Sequence, residues 1–234
     1  MTRMTGMRVL LAPRHTPTPH ATPDPIKETP MPGIPGTSVC DHKSVGVIVT
    51  HAVTGRYLLF ARATPPVGIA PPAGHVDDHG GWEDAARTEV TEEVGLVVDD
   101  LRLVADGWRD NRCRRPSSAP HGHDWHVYAA TVTDTTLNPS PRETRGAAWR
   151  TKGEVIDLVE RTAAHARGEL DEDEFTARPG IEPVWAQWLV DAGVVSLSRH
   201  ELRLIDAFAL QDPTRGSGPR SRWNAPWNTS RRSR

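Results

Sequence analysis

Residues 74–96 read GHVDDHGGWEDAARTEVTEEVGL, and this stretch decides the fold. Its second half has helical periodicity, with Ala86, Val90 and Val94 recurring as an apolar stripe. Glu89, Glu92 and Glu93 stand at i, i+3 and i+4, so their carboxylates are neighbours on an adjacent face. Three like charges there repel unless a cation neutralises them. An oxygen-only set suits a hard divalent cation such as Mg²⁺ or Mn²⁺, with phosphate oxygens completing the shell. A solvated acidic face is the competing reading of the same spacing. The helix is expected from about Trp82 to Val94, with Gly95 at the C′ position that ends it.

The stretch resembles the Nudix box: Gly, five residues, Glu, seven residues, then Arg-Glu-U-x-Glu-Glu-x-Gly-U, with U aliphatic. Gly74 matches the first glycine, and Glu89, Val90, Glu92, Glu93, Gly95 and Leu96 match the distal half in register. Two positions depart, because the first glutamate falls on Gly80 and the arginine on Thr88. The resemblance implies an α/β fold, an α/β/α sandwich whose mixed sheet carries the catalytic helix on one face. It also implies a Mg²⁺-dependent hydrolase that cleaves the pyrophosphate bond of a nucleoside diphosphate linked to another moiety.

By the same resemblance Glu89, Glu92 and Glu93 are metal ligands, with the carbonyl of Gly74 as an additional oxygen donor. The family's arginine orients the first of these carboxylates. Glu83 and Arg87 lie close to the altered positions, but one residue along a helix is a rotation of about 100°, so Arg87 is expected to point elsewhere. Glu143, in a loop where family members commonly carry an acid, is the candidate general base; its bland reading is a surface glutamate. Asp77, Asp78 and Glu83 are further carboxylates within reach. A Nudix-fold module that binds a nucleotide metabolite or a protein without catalysis is the alternative. Gly80 and Thr88 favour it, whereas the intact acidic triplet favours the enzyme, since three repelling acids are costly without a metal.

The 234-residue chain as a whole fits one modest domain with tails. It has 25% charged and 37% hydrophobic residues, and its net charge of −2 argues against nucleic acid as a general partner. No apolar run reaches the length of a membrane span, and the start is too weakly apolar for a secretory signal. A cytoplasmic location follows as the expectation. Residues 1–37 form a Pro-rich segment that cannot bury enough apolar surface to fold, and residues 211–234 a basic tail rich in Arg, Gly, Ser and Pro.

Between the tails, residues 38–168 are assigned to the sandwich. Ser44–Thr50 reads as a buried strand with Arg56–Ala61 as its hairpin partner across Thr54-Gly55. Pro65–Ala73 reads as a loop, Leu101–Trp108, Trp125–Val132 and Ala147–Arg150 as strands, and Gly153–Arg167 as a helix. Residues 169–210 are expected to form a small helical appendage. In it Trp185, Trp188 and Leu189 have helical spacing, Gly193 ends a run, and Ser198 with Glu201 makes a capping box. The tryptophans read as packing anchors, with a homodimer contact as the other use.

Two constellations bear on ligands. Arg109, Arg112 and Arg115, with Arg114 among them, cluster after a strand and are candidates for binding the diphosphate, since guanidinium pairs with phosphate in a bidentate manner; a solvated basic loop reads the same way. Trp108 and Trp125 could stack a base but are expected to pack. Cys40, His42, Cys113 and His123 would together supply a tetrahedral Zn²⁺ site. Their spacing is not that of a zinc finger, so the fold would have to gather distant loops. Two cysteines otherwise read as ordinary thiols.

Overall fold

Ser44 to Val49 are buried on both sides of one strand, which makes it the centre of the sheet. The computed structural model describes residues 39–77, 79–113, 115 and 121–210. The Pro-rich segment 1–37, the basic tail from 211, Asp78 and Arg114 lie outside the described residues. The central strand, β1 (Lys43–His51), runs into β2 (Tyr57–Arg62) through a turn in which Gly55 adopts φ 61. The hairpin pairs only at its base, Thr50 with Tyr57. Beyond that point β1 and β2 separate, and the gap between them is what the functional site uses.

On one side, β1 accepts the three-residue strand β4 (Ala73–His75), with Val45 opposite Gly74. On the other side it runs parallel to β6 (His123–Val132), from Lys43 opposite Asp124 to His51 opposite Val132. Strand β2 pairs antiparallel with β3 (Ile69–Ala70) and β7 (Thr144–Arg150), and β5 (Arg102–Arg109) forms an edge on β6. The sheet is therefore mixed. The segment 65–73, expected as a loop, contains β3 and the start of β4. These strands are too short to show periodicity of their own and exist because their partners hold them.

Helix α1 (Trp82–Val94) covers one face, packing Ala86, Val90 and Val94 on Val45, Val47, Leu58 and Phe60. Gly95 ends it in the left-handed conformation at φ 76. The other face carries α2 (Lys152–Ala166), with Val155 and Val159, and α4 (Pro183–Asp191), with Trp185, Trp188 and Leu189, against Ile48, Leu59 and Trp125. This is the α/β/α sandwich. Both tryptophans are fully buried, with ring centroids 6.1 Å from that of Trp125, so they are packing anchors. A Cβ on Gly46 would stand 2.5 Å from the Trp185 ring, and glycine there lets α4 approach the sheet.

A short helix, α3 (Glu172–Ala177), precedes α4, capped by Asp171 and anchored by buried Phe175. The final helix, α5 (Arg199–Ala209), starts with the Ser198–Glu201 capping box. No described helix is long and apolar enough to cross a membrane.

Candidate active site

The gap between β1 and β2 opens as a cleft of about 270 Å³ whose floor is the acidic face of α1. Glu89, Glu92 and Glu93 line it from α1, Gly74 from β4, and Glu143 from the turn before β7. Glycine at position 74 has a direct cause: the Glu89 carboxylate fills the space that a Cβ would occupy. Glu93 is 5% exposed, and one of its oxygens accepts the Ala73 N–H at 2.9 Å. Its backbone carbonyl accepts the Ser140 N–H and the Thr144 hydroxyl, so the same residue pins the segment that carries Glu143.

The electrostatics of this floor are strained. Burial, followed by the charges of Glu143 and Glu92, pushes the Glu89 carboxyl up to about 8, while Arg62 pulls it back. Glu93 is held well above the usual carboxylate range, by burial first and then by Glu89. Such a cluster is stabilised by any cation that enters it.

Arg62, at the end of β2, is the cationic side chain of the cleft that the sequence reading missed. It lies 3.7 Å from buried Glu182. Its Nε is buried with no hydrogen-bond partner among the described residues. Glu182 itself is held high by burial and relieved by Arg62. The backbone around Glu182 is bound to β3, its N–H donating to the Ile69 carbonyl at 2.8 Å, and a Cβ on Gly68 would meet the Glu182 backbone at 2.5 Å. Nothing in the sequence links residues 62 and 182, which the sandwich alone brings together.

The departures from the box also have structural causes. Gly80 adopts φ 89, a conformation that a glutamate would enter only under strain. The Thr88 hydroxyl donates to the Asp84 carbonyl within the helix. Arg87 turns away from Glu89, as its rotation requires, donating to the Val98 carbonyl and lying 3.9 Å from Glu83.

The arginine trio divides. Arg109 is removed from the set: it is paired with Asp191, and its guanidinium sits 4.5 Å above Trp188, tying β5 to α4. Arg112 and Arg115 do line the cleft. Arg112 donates from Nε to the Leu210 carbonyl at 3.1 Å, and Arg115 forms a bidentate pair with Asp77 at 2.5 and 2.7 Å. Trp108 is half-exposed and bonds Asp110 through its indole N–H at 2.8 Å.

Beside the cleft, Cys40, His75, Cys113 and His123 converge, their ligand atoms all within 4.8 Å of one another. The sequence reading placed His42 in this set, and the structure places His75 there instead. Residue 42 turns at φ 59, which folds its N–H back onto the Cys40 sulfur and carries its ring Nδ1 to 2.8 Å from the Gly122 carbonyl. His75 follows Gly74 directly, and its signal lay unread inside the decisive stretch.

With this geometry in hand, the family follows: the chain belongs to the Nudix domain family, whose model matches residues 41–174. Among solved structures, a Nudix-family hydrolase from Clostridium perfringens is similar at 22% identity, covering 50% of this chain and 85% of its own, with a TM-score of 0.41. An Ap4A hydrolase from C. elegans, in a binary complex, is also 22% identical, covering 49% and 83%, with a TM-score of 0.36. The MutT protein of Methanosarcina mazei is 17% identical, covering 52% and 83%, at 0.40. No curated protein matches the sequence.

Proposed function

We propose that the chain is a Mg²⁺- or Mn²⁺-dependent pyrophosphohydrolase acting on a nucleoside diphosphate linked to a second moiety. One observation carries this reading: Glu89, Glu92 and Glu93 line a single cleft in which Gly74 leaves room for a carboxylate and Glu143 faces them. The donor set fits a hard divalent cation, being all oxygen, multiply anionic and mutually repelling. Glu89, Glu92 and Glu93 would hold the ion, with the Gly74 carbonyl alongside. When bound, the ion activates water and neutralises charge on the phosphate oxygens.

The protein's own groups supply the rest. Glu143 would take the proton of the attacking water as general base. The cleft-lining residues Arg62, Arg112 and Arg115 orient the diphosphate. Arg62 also stands where charge compensation for the acidic floor is needed, which the box position Thr88 does not supply. We place the protein in the cytoplasm, where the thiols of Cys40 and Cys113 stay reduced.

The second reading is a binding module that has lost turnover. It draws on the backbone at Gly80, whose φ of 89 disfavours the glutamate of the family pattern. A pooled hydrolysis assay separates the two. Nucleoside triphosphates, nucleotide sugars and dinucleoside polyphosphates are incubated with the protein and Mg²⁺, and products are read by mass spectrometry. Turnover abolished by EDTA supports the hydrolase, and binding without turnover supports the module.

A further inference from the structure

We propose that Cys40, His75, Cys113 and His123 form a structural Zn²⁺ site that clamps the loop carrying Arg112 and Arg115 onto the rim of the cleft. Cys40 Sγ lies 3.2 Å from His123 Nε2 and 3.4 Å from His75 Nε2, and Cys113 Sγ lies 3.4 Å from His75 Nε2. A tetrahedron with Zn–S of about 2.3 Å and Zn–N of about 2.0–2.1 Å has S···N edges of roughly 3.6 Å. These three S···N distances stand close to the edges of that figure, and all four donor atoms lie within 4.8 Å of one another.

Hydrogen-bonded thiols and imidazoles alone would also account for short S···N distances. Three further observations favour a metal. First, His123 places its other ring nitrogen, Nδ1, 2.7 Å from the side-chain oxygen of buried Asn111. That oxygen accepts a hydrogen bond from Nδ1–H, which leaves Nε2, the atom facing the sulfurs, with its lone pair. Second, each sulfur accepts a backbone N–H from two residues further on, His42 onto Cys40 and Arg115 onto Cys113, both at 3.3 Å. Such bonds fix the direction in which each sulfur presents its remaining lone pairs. Third, the residues two beyond Cys40 and His75, namely His42 and Asp77, adopt positive φ values of 59 and 43, the tight turns that wrap the chain around a common centre.

The donor types select the ion. Thiolates with imidazoles suit Zn²⁺ and disfavour Mg²⁺, so this centre and the oxygen-only floor would bind different metals side by side. Four protein ligands complete the shell and leave no open position, which makes the site structural. Its ligands come from the approach to β1, the end of β4 one residue after Gly74, the loop after β5, and the start of β6. One ion would thus fix the Gly74 strand and the arginine loop to the same framework.

The test is metal content, which is independent of the hydrolase reading. The full chain, purified under reductant from zinc-supplemented cells and dialysed without chelator, is expected to hold one zinc per chain by plasma mass spectrometry. Glu93→Gln and His42→Ala are expected to retain it, and Cys113→Ser and His75→Ala to lose it with a lowered Tm. Wild-type protein reconstituted with Co²⁺ is expected to show the intense visible bands of a tetrahedral site and thiolate-to-metal charge transfer. That spectrum decides the matter even where a variant does not fold. Reduced, folded wild-type protein that takes up no zinc and gives no thiolate–Co²⁺ spectrum overturns the proposal. Zinc retained by both Cys113→Ser and His75→Ala overturns it equally.

Discussion

The carboxylate of Glu89 fills the space that a Cβ on Gly74 would need. The strand residue and the helix residue are thus matched to each other across the cleft. Gly74→Ala must push Glu89 aside while leaving the sheet register, which uses backbone bonds, intact. A displacement of this size is expected to lower kcat about 10²-fold. Circular dichroism should be unchanged, and a kcat equal to wild type would show that the position of Glu89 is not catalytic.

The acidic floor makes metal-free stability depend on pH. The folded-state pKa of Glu89, about 8, lies above its ordinary 4.5. The penalty of ionising it in the fold is therefore fully present above pH 8 and fades as pH falls through 8 toward 4.5. Glu93 acts in the same direction. Thermal melts in EDTA should show Tm rising from pH 8 down to about pH 5. Glu89→Gln should raise Tm at pH 8 and flatten the slope. A metal-free Tm that falls over the same range would contradict the burial of these charges.

Arg62 and Glu182 should respond unequally to substitution. Arg62→Met leaves Glu182 buried without its cation and removes the charge that relieves Glu89 and Glu93, a loss of about 3–5 kcal/mol. The deficit should shrink on acidification, because Glu182, Glu89 and Glu93 then become neutral. Glu182→Gln leaves Arg62 facing the acidic floor and should cost less. Denaturant melts at two pH values check this, and equal losses would mean that Arg62 answers only to Glu182.

Arg109 and Arg115 part company in the same manner. Arg109→Ala removes a stacking contact on Trp188 and a partly exposed ion pair, expected to cost about 1 kcal/mol of stability. KM should not move. Arg115→Ala, on the cleft, should raise KM. A KM effect from Arg109→Ala would return that residue to the substrate site.

How much of this was legible in the sequence follows from the range of each interaction. The box helix was expected from Trp82 to Val94 and spans those residues, because its stripe, its acidic face and its Gly95 stop are local signals. The Ser198–Glu201 capping box was equally local. Strand β3 and the first residue of β4 fall in the segment expected as loop, since two or three residues carry no period and are held by Phe60, Ala61 and Val45 from elsewhere. Helix α3 passed unread for the same shortness. Within the site, the carboxylates of α1 were legible and Arg62 with Glu182 was not, because their meeting depends on β3 and α4 closing over each other. The zinc set read from the sequence holds His42 and leaves His75 out. The turn at residue 42 reverses that choice, and no periodicity announces such a turn.

On the proposed function, the Glu89, Glu92 and Glu93 floor carries metal-dependent hydrolysis. Turnover of the best substrate from the pooled assay, compared between wild type and Glu93→Gln at saturating Mg²⁺, tests it most directly. The expected loss is on the order of 10³-fold, matching several kcal/mol of charge stabilisation, in a variant at least as stable as wild type without metal. Undiminished turnover in folded Glu93→Gln would contradict it and move the chemistry away from this helix.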